Sequence, residues 1–173
     1  MQHFKLRNLS TFQGGFTDLY CIGTKRVLGT TPSLPNTSDL TAAATTQTIT
    51  LETLAIGDVV VFPIAQAWVK QKFTDATTEN GAAVTLANLK VDLGVTGTTT
   101  KFIAGTNGDL IQSPNYPITS VVAAGVGHAA QAAIAVLATF TSTAGNLSTV
   151  TFGDLFIYLS IARVGEWVRD RQA

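Results

Sequence analysis

The sequence predicts an all-β domain, and three observations carry that prediction. Thr and Ala are the most frequent residues in a chain that also holds many Val and Ile, a composition suited to pleated, half-buried surfaces. Apolar and polar residues alternate with a period of two in several separate segments. Gly, Asn and Asp punctuate those segments with turn chemistry.

In chain order, residues 1–40 are expected to form an extended N-terminal arm and linker. Phe4, Leu6, Leu9, Phe12, Phe16, Leu19, Tyr20 and Ile22 are spaced among Gln, Asn, Gly and Thr without a helical period. Thr30 to Asp39 holds two prolines and four hydroxyl residues besides Thr30, which favour extended or turned backbone. The body is expected to span residues 41–164. Its first strand is signalled by Thr48-Ile49-Thr50-Leu51, and after a turn the apolar run Val59 to Phe62 suits a second. Ala67 to Phe73 is β-compatible, and Asn80-Gly81 readily takes the positive φ of a tight turn. Asn88 to Leu93 alternates strictly, with Leu89, Val91 and Leu93 on one face. Thr99 to Ile103 is another short strand, Asn107-Gly108 a second turn before Leu110-Ile111, and Ile118 to Ala124 a further candidate. Ala129 to Ala138 has the Ala and Gln of a helix, yet Ile134, Val136 and Phe140 keep a period of two, which favours a strand. Leu155 to Val164 closes the body, and residues 165–173 form a C-terminal tail.

One pattern occurs twice. Leu54-Ala-Ile-Gly-Asp-Val-Val-Val-Phe62 and Val150-Thr-Phe-Gly-Asp-Leu-Phe-Ile-Tyr158 both place Gly-Asp before an apolar run. Gly57 and Gly153 would permit φ above zero, and Asp58 and Asp154 would accept hydrogen bonds from backbone N–H groups released by a turn. A calcium role for the two carboxylates lacks the dense Asp/Asn run that six or more oxygen ligands require.

Composition narrows function. With 173 residues the chain is long enough for one core without covalent staples. Only 13% of residues are charged, against roughly 25% in a typical soluble domain. Eleven basic residues balance eleven acidic ones, so no long-range field draws the protein to nucleic acid or anionic lipid. Such an uncharged surface also removes repulsion between copies, which points to association. Cys21 is the one cysteine, which excludes an internal disulfide. The first ten residues lack the continuous apolar stretch of a secretory signal, so synthesis and folding in the cytoplasm are expected. From Leu110 to Gly153 there is no Asp, Glu, Lys or Arg, but prolines, glycines, His128 and abundant Ala argue against a membrane span there.

No arrangement of catalytic residues emerges, and no enzyme activity, cofactor or metal is expected. His3 and His128 are the two histidines, neither in a context that defines a base. Phosphate-binding glycine loops and His-Glu-x-x-His are missing. Asp75 and Glu79 read as a pair that solvates a loop. Trp68, Tyr116 and Trp167 could stack on sugar rings, although packing in a core or interface is the commoner use of such rings. The interface candidates are Phe4, Leu6, Phe12, Phe16, Tyr20 and Trp167, the last near the chain end, where a large ring often docks on a neighbour.

Three parts of the chain carry a resemblance: Gly57-Asp58-Val-Val-Val61, the Ala-rich stretch into Ala135-Val-Leu-Ala-Thr-Phe-Thr141, and Thr143 to Asp154 with the strand to Val164. Over about residues 45–164 the chain resembles structural proteins of tailed-bacteriophage virions, especially capsid decoration or cement proteins. The resemblance implies an antiparallel β-sandwich of jelly-roll type on the capsid exterior, a homo-oligomer with a trimer favoured, and contacts to the major capsid protein or other virion proteins. It brings no catalytic residues. The alternative expectation is a carbohydrate- or receptor-binding module of a phage tail or spike that uses Trp68, Tyr116 and Trp167.

Overall fold

The computed structural model describes residues 4–8, 16–24, 40–78, 81–112, 116–118 and 128–162. Among them are ten strands, two single 3₁₀ turns and no α-helix. In chain order the strands are β1 (Phe4–Asn8), β2 (Phe16–Thr24), β3 (Thr46–Leu54), β4 (Val59–Thr74), β5 (Lys90–Val95), β6 (Thr98–Ile103), β7 (Tyr116–Ile118), β8 (His128–Ala129), β9 (Ile134–Thr141) and β10 (Phe152–Ala162). They make two sheets: a six-stranded one ordered β1-β2-β10-β4-β7, with β8 also on β4, and a four-stranded one ordered β3-β9-β5-β6. Every described strand pairing is antiparallel.

The sheets bury their inner faces against one another in a single apolar cluster. Val69, Phe73, Leu155, Ile157 and Ile161 come from the first sheet, and Ile49, Leu54, Val91, Leu93, Val136 and Phe140 from the second. Phe73 and Phe140 meet across the sandwich with ring centroids 6.2 Å apart. A buried side chain of this kind contributes about 1.5–3 kcal/mol, so the alternating pattern locks each strand's register. Leu89, Val91 and Leu93 are all buried, as their spacing predicts. In β9, Val136, Ala138 and Phe140 are buried while the residues between them are partly exposed; the period of two prevails over the helix propensity of its alanines.

Three expectations are modified. The stretches around Val59–Phe62 and Ala67–Phe73 are one sixteen-residue strand rather than two. Its register against β10 jumps from Val60 to Ala65, and Pro63, which has no N–H to donate, falls inside that jump. Leu110-Ile111 belongs to a 3₁₀ turn, launched by Gly108 at φ 91°. The expected arm contributes β1 and β2 to the first sheet, with β2 running beside β10 from Thr24↔Gly153 to Phe16↔Ile161; extended backbone there is paired backbone. Of Ile118–Ala124, residues 119–124 lie outside the described residues, as do the tail and Asn80. Gly81 donates its N–H to the Thr78 C=O at 3.0 Å, which closes a turn.

Candidate interaction surfaces

The two Gly-Asp pairs do different work. Gly57 has φ 91°, and the Asp58 N–H donates to the Ala55 C=O at 3.1 Å. The Asp58 carboxylate accepts the Ala55 N–H at 3.0 Å, so this pair closes the turn before β4. Gly153 and Asp154 instead lie within β10, where the register against β4 is irregular. No turn is launched there, yet Gly153 has φ 156°, a backbone conformation that favours glycine, and a Cβ on it would also sit 2.4 Å from Phe73 Cδ1. Asp58 and Asp154 therefore do not form matching turns.

Among the interface candidates, Phe4 and Leu6 lie on β1, and Phe16 and Tyr20 on β2. The register sets Phe4 opposite Cys21, Leu6 opposite Leu19, and Tyr20 between Lys5 and Ile157. Phe12 and Trp167 lie outside the described residues. Trp68 stands on the outer face of the first sheet, 41% exposed, between buried Ala67 and Val69. Its register neighbours are Phe156 on β10 and Pro117 on β7, and Pro117 and Lys70 are also exposed. Tyr116 pairs with Val69, one position out of step with Trp68.

The outer face of the second sheet is mostly threonine. Thr46, Thr48 and Thr50 of β3 are exposed, and the Thr48 and Thr139 hydroxyls hydrogen-bond at 3.2 Å. Further along, Lys90 Nζ lies 3.1 Å from Asp92 Oδ2, and Asp92 Oδ1 accepts the Gly105 N–H at 2.8 Å.

One end of the sandwich is closed by loops whose anchors the sequence did not disclose. The Asp75 carboxylate accepts the N–H groups of Val84 at 2.6 Å, Thr85 at 2.7 Å and Leu86 at 3.2 Å, along with the Thr85 hydroxyl. Desolvation alone would raise the Asp75 pKa, but the Thr85 hydroxyl and the Val84 and Thr85 N–H groups outweigh it and hold the carboxyl below its ordinary value. Asp75 is thus a loop clamp rather than a solvating charge. Beside it, the buried Ser142 hydroxyl lies 2.9 Å from the Ala87 C=O and also reaches that of Ala144. Thr151 donates its N–H to the Thr74 C=O at 2.9 Å and its hydroxyl to the Ala76 C=O at 2.6 Å. Among the described residues, no group of three or more His, Cys, Asp and Glu gathers that could hold a metal ion. No helix among them is long and apolar enough to cross a membrane.

No family model matches the chain, and no curated protein matches it. Among solved structures the chain is similar to one in the capsid asymmetric unit of cyanophage Pam1, at 14% identity and a TM-score of 0.48, over 91% of this chain and 92% of that one.

Proposed function

We propose that the chain is a non-enzymatic structural protein of a bacteriophage virion, which decorates or cements the capsid exterior as a homo-oligomer by packing on neighbouring capsid subunits. The observation that best supports this reading is the solvent-facing Trp68, 41% exposed on the sheet's outer face with exposed Pro117 as its register neighbour. A large ring on a rigid sheet loses little conformational freedom when it docks, which is why such rings anchor protein interfaces. The neutral, threonine-rich face of the other sheet adds surface that neither repels a second copy nor requires a charged partner. Repeated across a lattice, weak contacts of this kind sum to high avidity.

Purified protein added to particles that lack it is expected to bind and to raise their resistance to heat and osmotic shock. Trp68→Ala should weaken that binding at least tenfold while its own melting temperature stays within about 2 °C of wild type, since substitutions at exposed positions move stability little. Failure of the wild-type chain to bind such particles removes the reading.

A second reading, a carbohydrate- or receptor-binding module of a tail or spike, is favoured by the same exposed ring, because an indole face stacks on sugars as well as on protein. A glycan array separates the two: sugar binding lost on Trp68→Ala selects the adhesin.

A further inference from the structure

Strand β3 is an outer edge of the four-stranded sheet, and the direction of its backbone groups follows from hydrogen bonds at its start. The Ser142 N–H donates to the Thr45 C=O at 2.8 Å. In the register that sets Thr46 opposite Thr141, Thr45 and Ser142 are therefore a hydrogen-bonded pair. Such pairs alternate along an antiparallel ladder, so Gln47 and Ile49 turn their N–H and C=O toward β9. Thr46, Thr48 and Thr50 turn theirs to the open side. Two other contacts agree. The Thr48 and Thr139 hydroxyls approach to 3.2 Å, as the closer side chains of a non-hydrogen-bonded pair allow. On the far side of β9, the Thr96 N–H donates to the Ala135 C=O at 3.1 Å, which assigns residues 135, 137, 139 and 141 to β5 and leaves Ala138 and Phe140 to β3.

The open stretch is short and bounded. Residues 43–45 bend at one end; at the other the register shifts between Thr50 and Glu52, and the Glu52 carboxylate accepts the Thr53 N–H at 3.1 Å. Outer strands ordinarily carry charges, prolines or bulges that block addition of a further strand. Here β1 carries Lys5 and Arg7, β6 carries Lys101, β7 has three residues including Pro117, and β8 has only two. Thr46 to Thr50 has no charge, proline or register shift, and among the described residues nothing pairs with its open side.

We propose that Thr46–Thr50 is a self-pairing site, at which two copies of the chain join β3 to β3 antiparallel about a two-fold axis at Thr48. In that register Thr48 faces the partner's Thr48 and Thr46 faces the partner's Thr50. Each of these residues has its backbone groups directed outward, so every facing pair exchanges two hydrogen bonds. A one-residue slip would set Gln47 or Ile49, whose groups already serve β9, against the partner. Threonines facing across strands pair favourably, and a chain of formal net charge +0 offers no long-range repulsion to its own copy. Two four-stranded sheets thereby become one continuous sheet. The inference stands independently of the virion reading and of any three-fold contact elsewhere on the molecule.

Light scattering and sedimentation of the full chain across a dilution series should reveal a monomer–dimer equilibrium. Thr48→Lys places like charges at the axis and should shift that equilibrium at least tenfold toward monomer, with the far-ultraviolet spectrum retained. Thr50→Lys, which sets a lysine against Thr46, is the second variant should the first fold poorly. Amide exchange at Thr46, Thr48 and Thr50 should slow as concentration rises, while exchange at Thr98–Thr100 of β6 stays constant. A chain that is monomeric at all concentrations, or an oligomer insensitive to both lysine variants, overturns the proposal.

Discussion

Gly153→Ala, paired with a change at Phe73, tests how much the ring adds to the demand for glycine that φ 156° already sets in β10. The added Cβ would lie 2.4 Å from Phe73 Cδ1, 2.5 Å from Cγ and 2.8 Å from Cε1. Ordinary carbon–carbon contacts are about 3.5–4.0 Å, so the ring must retreat by roughly 1 Å. Retreat is obstructed, because Phe73 is fully buried and backed by the Phe140 ring at 6.2 Å. Overpacking a filled core costs about 1–3 kcal/mol. At about 2–4 °C per kcal/mol for a chain of this size, a cost of about 2 kcal/mol lowers the melting temperature by about 4–8 °C. Phe73→Leu removes the ring and is itself destabilising, by less than the roughly 3–5 kcal/mol of a Phe→Ala change. Thermal melts of both single variants and the double complete a mutant cycle. If ring and glycine are coupled, the double variant is more stable than the sum of the singles predicts by about 1 kcal/mol or more. Additivity within about 0.5 kcal/mol, or a Gly153→Ala melt indistinguishable from wild type, would refute the reasoning.

The loop end of the sandwich offers two further tests. Asp75→Asn weakens acceptors for three backbone N–H groups and one hydroxyl, at a cost on the order of 1 kcal/mol at neutral pH. Because the folded Asp75 pKa is lowered, the stabilisation is fully present above the unfolded value of about 3.9 and disappears as pH falls through the folded pKa. Melts from pH 7 downward should therefore show the curves of the wild type and the Asp75→Asn variant converging in acid, and a constant gap would contradict the clamp. Ser142→Ala takes the buried hydroxyl away from the Ala87 and Ala144 carbonyls, which keep the Thr143 and Ala87 N–H groups as donors, and should cost about 0.5–1.5 kcal/mol in chemical denaturation; an unchanged midpoint would mean that the hydroxyl holds nothing.

What was legible in the sequence was local. Alternation located β3, β5 and β9, and the Gly57-Asp58 turn followed from two adjacent residues whose partner, Ala55, is three positions away. What was not legible was long-range. Asp75 reads as a surface charge because its partners lie 9 to 11 positions further along the chain. Gly153 shares a positive φ with Gly57, but the ring that also crowds it comes from a different strand. Among the surface candidates, Trp68 was identified by type, while the open side of Thr46–Thr50 was not, because strand order decides which strand lies at an edge. The Thr-Ile-Thr alternation that identified β3 carries no record of what lies beside it.

The placement of β10 has a consequence for how the chain is made. It lies between β2 and β4, so the first sheet has a gap at its centre until residues through Ala162 have left the ribosome. A product truncated before Phe152 would leave two strand edges unpaired at once, a state prone to sticking to other chains. Closure of the first sheet therefore waits for β10, and a fragment that lacks it leaves β2 and β4 apart.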